Sequence, residues 1–199
     1  MKLIYLTQAI AIIICWTVFP WAGNAQSLAI RNCTWCHGSS GQGLTPVPRL
    51  AGQRLQYIEN QLRNYREHRR NDQYSRLMWD AAAAVNSHTA HDLAVYFSRL
   101  HPKPANDGDK KLVAKGRKIF QDGIPESNIV ACAACHGPNA EGTGEIPRLG
   151  GLSYYYVKRR LTQWGEAYHP TGKPPMPTVA KGLPPNHIDA VASYLSFVH

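Results

Sequence analysis

Cys33-Thr34-Trp35-Cys36-His37 and Cys132-Ala133-Ala134-Cys135-His136 are the two stretches on which the reading of this chain turns. Each places two thiols three positions apart, with an imidazole immediately after the second. On a helix, positions i, i+3 and i+4 share one face, so both sulfurs and the ring can reach one flat group. This is the attachment pattern of a c-type haem, in which the thiols add to the vinyl groups and the His ligates the iron. Cys33, Cys36, Cys132 and Cys135 are therefore the expected attachment sites, and His37 and His136 the expected iron ligands. Two such motifs imply two covalent haem c groups. Cys-x-x-Cys pairs also bind zinc, but the adjacent His and the gap of roughly a hundred residues between pairs suit haem better.

Outward from these motifs, the two halves repeat each other with an offset of 98 or 99 residues. Pro48-Arg49-Leu50 matches Pro147-Arg148-Leu149, Tyr57 matches Tyr156, Leu62 matches Leu161, and Ala94-Val95-Tyr96 matches Ala192-Ser193-Tyr194. Such a series in order implies two domains of one design, each small enough to need its prosthetic group. The expected division is a leader over 1–25, a first domain over 26–100, a linker over 101–108 and a second domain over 109–199. The prolines of His101-Pro102-Lys103-Pro104 block helix continuation and hold the linker extended.

Within each half the apolar spacing is helical. Leu55, Ile58, Leu62 and Tyr65 recur at helix intervals, as do Tyr154, Val157, Leu161 and Trp164. A closing helix is expected to start at Thr89 with Asp92 in one half, and at Asn186 with Asp189 in the other. No alternating strand pattern is evident, so the expected fold is all-α.

Besides Met1, the chain has two methionines, Met78 and Met176, lying 41 residues after His37 and 40 after His136. Their equivalent places make them the expected sixth ligands. A thioether opposite an imidazole favours ferrous iron and raises the potential, and a six-coordinate iron leaves no position for substrate. Met176 lies in Lys173-Pro174-Pro175-Met176-Pro177, expected to be a rigid extended ligand loop. His68, His88, His91, His101, His169, His187 and His199 lack consistent partners in the repeat and read as surface or capping residues. Pro48 and Pro147 each lie 11 residues beyond the motif His. In this respect the chain resembles the mono-haem cytochrome c fold, in which a proline carbonyl at about this place accepts the imidazole Nδ1–H, and the resemblance implies that Pro48 and Pro147 orient the rings and tune their basicity.

Lys2 followed by an apolar run from Ala9 to Val18 and the small residues around Ala25 is the layout of a secretory signal, with cleavage after Ala25 and removal of Cys15. Export to the periplasm agrees with the motifs, because c-type haem is attached outside the cytoplasm. The formal charge of +9 favours an acidic partner or an anionic membrane surface, so peripheral membrane association is compatible with it. Two basic clusters, Arg63/Arg66/Arg69/Arg70 and Lys158/Arg159/Arg160, read as solvated faces, with one or two of these residues reaching a haem propionate or an acidic partner. Nucleic acid does not suit an exported chain.

These motifs, with Pro48-Arg49-Leu50-Ala51-Gly52-Gln53, Tyr57-Ile58-Glu59-Asn60-Gln61-Leu62, Arg70-Asn71-Asp72 and Asp92-Leu93-Ala94-Val95-Tyr96-Phe97, resemble those of the cytochrome c4 family. The resemblance implies two tandem class I cytochrome c domains with axial pairs His37/Met78 and His136/Met176. It also implies two haems near the domain interface. The chain departs from the pattern in having seven residues between the expected cleavage site and Cys33, so the first N-terminal helix is expected to be truncated. The second half keeps its preceding segment, Leu112 to Phe120, with Gly116 and Phe120 in place.

The expected function is a non-enzymatic electron carrier between respiratory partners: a cytochrome reductase, a terminal oxidase or a flavoprotein dehydrogenase. The alternative is a di-haem subunit of a dehydrogenase, such as a flavocytochrome c sulfide dehydrogenase. A di-haem peroxidase is a further alternative, but it needs a displaceable ligand, which paired methionines argue against.

Overall fold

A computed structural model describes residues 25–165 and 176–199. The expected signal segment up to Asn24, Cys15, His169 and the prolines just before Met176 lie outside the described residues. Among those described, the structure is helical, with no strand and only three isolated antiparallel bridges, Leu44 to Val47, Ile124 to Ile129 and Thr143 to Ile146.

The first half contains α1 (Ala25–His37), α2 (Leu55–Arg66), α3 (Ser75–Ala83) and α4 (Ser87–Arg99). The second contains α5 (Val113–Asp122), α6 (Ala133–His136), α7 (Tyr154–Gly165), α8 (Met176–Gly182) and α9 (Pro185–Phe197). Here α2 and α7 are the amphipathic helices that the spacing predicts, burying Ile58 and Tyr65 on one, Val157 and Leu161 on the other. Both closing helices start earlier than expected. Asn86 caps α4, its side chain accepting from the Thr89 amide at 2.9 Å, and the stronger Asn cap wins over Thr89. Pro185 opens α9, where its missing N–H and fixed φ cost nothing.

α5 packs along α9, α1 along α4, and α2 and α7 cross the closing helices of their own halves. Close approach of α5 to α9 depends on Gly116. A Cβ there would lie 2.0 Å from the Ala190 carbonyl oxygen. The halves differ at their N-terminal ends. In the second, α5 and the motif helix α6 are separate elements. In the first, the described helix α1 carries the motif at its C-terminal end.

Among the described residues, fifteen buried apolar residues form one cluster in the second half, whereas the first half buries eight, of which Ile58, Leu93, Ala94 and Phe97 cluster together. The first half thus leans more on its neighbour and on whatever fills its cavity.

The halves are tied by hydrogen bonds to backbone. The buried Arg49 guanidinium donates to the carbonyls of Lys103 at 2.7 Å, Gly151 at 2.8 Å and Gly150 at 2.5 Å. Gln53 brackets Arg148, accepting from its amide and donating to its carbonyl, and Arg54 Nε donates to the Gly142 carbonyl at 2.8 Å. The connecting segment is anchored as well. Gln42 bonds the His101 carbonyl and the Lys103 amide, and Asp107 accepts from Ser153 and from the Tyr154 amide at the start of α7.

Candidate haem centres

The eight residues singled out by sequence come together. Cys33, Cys36, His37, Met78, Cys132, Cys135, His136 and Met176 all line one continuous cavity of about 1900 Å³. Sites for a single small molecule or cofactor run to about 1,000 Å³, so this space suits two groups side by side. Its lining is mainly apolar, with Leu50, Ile58 and Leu93 on one side and Leu149, Val157 and Leu161 on the other.

Cys33 and Cys132 are half-buried, whereas Cys36 and Cys135 stand exposed at the rim, and none of the four is in a disulfide. Burial pushes the Cys33 thiol up to about 11, with the neighbouring Cys36 adding to the effect. Cys132 is likewise raised by burial to about 11. Both sulfurs therefore keep their protons at neutral pH in the unmodified chain.

His37 closes α1 and His136 closes α6, both buried. His37 Nδ1–H donates to the Pro48 carbonyl at 2.7 Å and His136 Nδ1–H to the Pro147 carbonyl at 3.0 Å. With Nδ1 so committed, Nε2 is the nitrogen left to ligate. Burial lowers the pKa of both rings, partly opposed by the carbonyl bond, so each ring is held neutral as ligation requires. The loop that carries each carbonyl round repeats in both halves. The Gly43 and Gly142 amides donate to the His37 and His136 carbonyls, both at 2.7 Å. Both glycines have positive φ, and a Cβ on Gly142 would meet the Ile146 carbonyl oxygen at 2.4 Å. Only glycine fits so sharp a return.

Met78 lies within α3, half-buried. Met176 is the first residue of α8, packed against the core of the second half. This corrects the expectation of an extended loop at Met176 and Pro177. Proline is at home in the first turn of a helix, so Pro177 starts the helix here.

A polar cluster at the junction of the halves was not legible in sequence. Asp72 Oδ2 accepts from Arg70 Nε at 3.1 Å and, across the junction, from Arg160 Nη1 at 2.8 Å. Arg70 also donates to Gln61 at 2.7 Å and stacks over the Tyr65 ring, while Arg160 stacks over Trp164. All three charged residues are buried and line the cavity. Arg70 and Arg160 are therefore not on the solvated faces expected for their clusters, since docking of the two halves encloses them. Burial raises the Tyr57 and Tyr65 phenols above their ordinary value and keeps them neutral beside these cations. One signal could have pointed here. Glu59, Asn60 and Gln61 are replaced in the repeat by Lys158, Arg159 and Arg160, a change to cations on the helix that carries the matching Tyr156 and Leu161.

The residues present fit two covalent haems: thiols at the rim, an oriented neutral imidazole in each half, a thioether in each half, apolar walls, and buried guanidinium groups suited to carboxylates. Among the described residues, no group of three or more His, Cys, Asp or Glu is placed to hold a metal directly, so the zinc reading has no ligand set. When bound, each haem supplies a one-electron couple. The protein's part is to fix the imidazole by the proline carbonyl, present the thiols, and keep water from the pocket with its apolar walls.

Fold and site together define a tandem c-type haem protein. The chain belongs to the cytochrome c family, whose model matches it twice, over residues 22–106 and 113–198, and within that family to the di-haem cytochrome c4 group. It is 35% identical to cytochrome c4 of Thiocapsa roseopersicina over 184 residues, 88% of this chain and 91% of that one. It is 34% identical to a thiosulfate dehydrogenase electron acceptor of Thiomonas intermedia, covering 88% and 82% of the two chains. A solved structure of Acidithiobacillus ferrooxidans cytochrome c4 superposes with a TM-score of 0.77 at 37% identity, over 83% of this chain and 98% of that one.

Proposed function

We propose that this di-haem electron carrier works in the periplasm, has no catalytic step of its own, and passes electrons singly between respiratory proteins. Its axial pairs are His37 with Met78 and His136 with Met176, and Cys33, Cys36, Cys132 and Cys135 hold the porphyrins. The observation that carries this reading is the shared cavity, which all eight side chains line. In this reading the chain divides into a removed leader over 1–25, domains over 26–100 and 109–199, and a linker over 101–108. The two family matches support that division. No helix among the described residues is long and apolar enough to cross a membrane.

A dehydrogenase of a sulfur compound is a specific partner to consider, because relatives from Thiomonas intermedia and Stutzerimonas stutzeri are named as thiosulfate dehydrogenase electron acceptors. A redox titration of the haem-loaded protein followed by visible spectra tests the main reading. Two reversible one-electron steps with low-spin spectra in both oxidation states are expected. A high-spin ferric component at either iron, with peroxide turnover, would replace it with the peroxidase reading.

A further inference from the structure

The two halves differ most visibly between the motif cysteines. Trp35 sits between Cys33 and Cys36, whereas the second motif has Ala134 at that place. Trp35 is 87% exposed, more than any other large apolar residue among those described. Leu28, Arg31, Asn32 and Trp35 follow i, i+3, i+4, i+7 spacing along α1, so they form one stripe on its outer face. They line a shallow recess of about 510 Å³, and Leu28 and Asn32 also border the large cavity. The stripe therefore runs directly to the edge of the first haem site.

A lone exposed Leu needs no explanation, but a Trp fully in water beside a redox centre, with a second large apolar residue on the same stripe, is a surface built for contact. Tryptophan and arginine are the commonest anchors at the centre of protein interfaces. Charge indicates what they would meet. α1 has no acidic residue, Arg31 stands exposed on the stripe, and of the nine Arg and five Asp or Glu in residues 26–100, seven and four remain once the buried Arg49, Arg70 and Asp72 are set aside.

We propose that the Leu28–Arg31–Asn32–Trp35 stripe is the docking surface for an electron-transfer protein with an acidic rim around an apolar centre, making the first haem the external port of the pair. This rests on the electron-carrier reading above and adds which iron faces the partner and through which residues. One electron crosses, the partner's reduced centre losing one and the ferric iron of the first half gaining one. No covalent bond changes and no proton moves. With both haems bound, the cavity that the two sets of ligands share would let an electron pass on to the second.

The test uses the haem-loaded protein on a gold electrode coated with mixed carboxylate- and methyl-terminated thiols, a defined surface with the partner's proposed chemistry. Interfacial electron-exchange rates are measured for the wild type, Trp35→Ala and Arg31→Glu. Trp35→Ala should slow exchange about tenfold, as loss of an aromatic anchor does. Arg31→Glu should slow it and flatten its dependence on salt. Visible spectra should match the wild type for both variants, and bulk reduction by ascorbate, an anion that would itself sense the charge reversal at Arg31, should match it for Trp35→Ala. Three results would overturn the proposal: wild-type rates for Trp35→Ala on the electrode, equal slowing of that variant with ascorbate, or sedimentation showing a dimer that Trp35→Ala dissociates. Absence of any reversible wave in the wild type would instead remove the electron-carrier reading itself, and the docking proposal with it.

Discussion

Replacing Asp72 by Asn removes the one carboxylate that Arg70 and Arg160 share, with almost no change of shape. All three side chains are buried, so neither guanidinium can turn to water for compensation. Breaking a buried ion pair from one side costs about 3–5 kcal/mol. For a chain of this size that corresponds to a fall in Tm of about 6–20 °C. The bond from Arg160 spans the two halves, whereas that from Arg70 is local, so a double-mutant cycle can isolate the cross-junction contact. Asp72→Asn, Arg160→Met and the combination would be unfolded in urea, followed by haem-region circular dichroism. The double variant should be less destabilised than the sum of the singles, by about 1.5–3 kcal/mol, the worth of a hydrogen bond to a charged group. Asp72→Asn should also loosen the junction, so the two halves unfold in separate steps. An additive cycle, with Asp72→Asn within about 0.5 kcal/mol of the wild type, would refute the claim that this cluster holds the halves together.

Met78→Ala and Met176→Ala should each alter the spectrum and lower the potential of one iron while leaving the other unchanged, because the two thioethers serve different halves. Spectroelectrochemistry reads this directly, and a variant with wild-type spectra and potentials would remove that residue as a ligand. Arg49→Met takes the guanidinium from the buried Gly150 carbonyl, from the Gly151 carbonyl, which keeps the Ala105 amide, and from the part-buried Lys103 carbonyl, and should cost about 1–3 kcal/mol in urea unfolding. Arg49→Lys should recover only part of this, since an ammonium cannot reproduce the planar fork. Gly116→Ala drives a methyl into the Ala190 carbonyl and should destabilise the second half by about 1–3 kcal/mol, with little effect on the first. Hydrogen exchange resolved by segment would show whether protection is lost in α5 and α9 alone.

What could be read in the chain was whatever depends on near neighbours. The spacing of Ile58, Leu62 and Tyr65 accounts for α2, and the Cys-x-x-Cys-His motifs place each imidazole at the end of its helix, α1 or α6. Thr89 and Asp92 have the spacing of a capping pair, but Asn86, three residues earlier, is the better cap and takes the start of α4. The prolines around Met176 suggest a stiff loop, yet a proline in the first helical turn is compatible with α8. Arg70 and Arg160 looked like solvent-facing charges because each sits in a basic run. Their burial arises only when two surfaces 88 residues apart in sequence meet at Asp72. No local pattern records that meeting.

The grip of Arg49, Gln53 and Arg54 on the second half falls on main-chain atoms at Gly142, Arg148, Gly150 and Gly151. A catch made of peptide backbone reads no side-chain chemistry, yet it demands bare positions: a Cβ on Gly151 would lie 2.5 Å from the Arg49 guanidinium, and one on Gly142 2.4 Å from the Ile146 carbonyl oxygen. Constancy is thus required of both partners, of the donors for their reach and of the glycines for their emptiness. After duplication, the two copies could drift apart elsewhere along this edge, but not where a guanidinium lies against glycine.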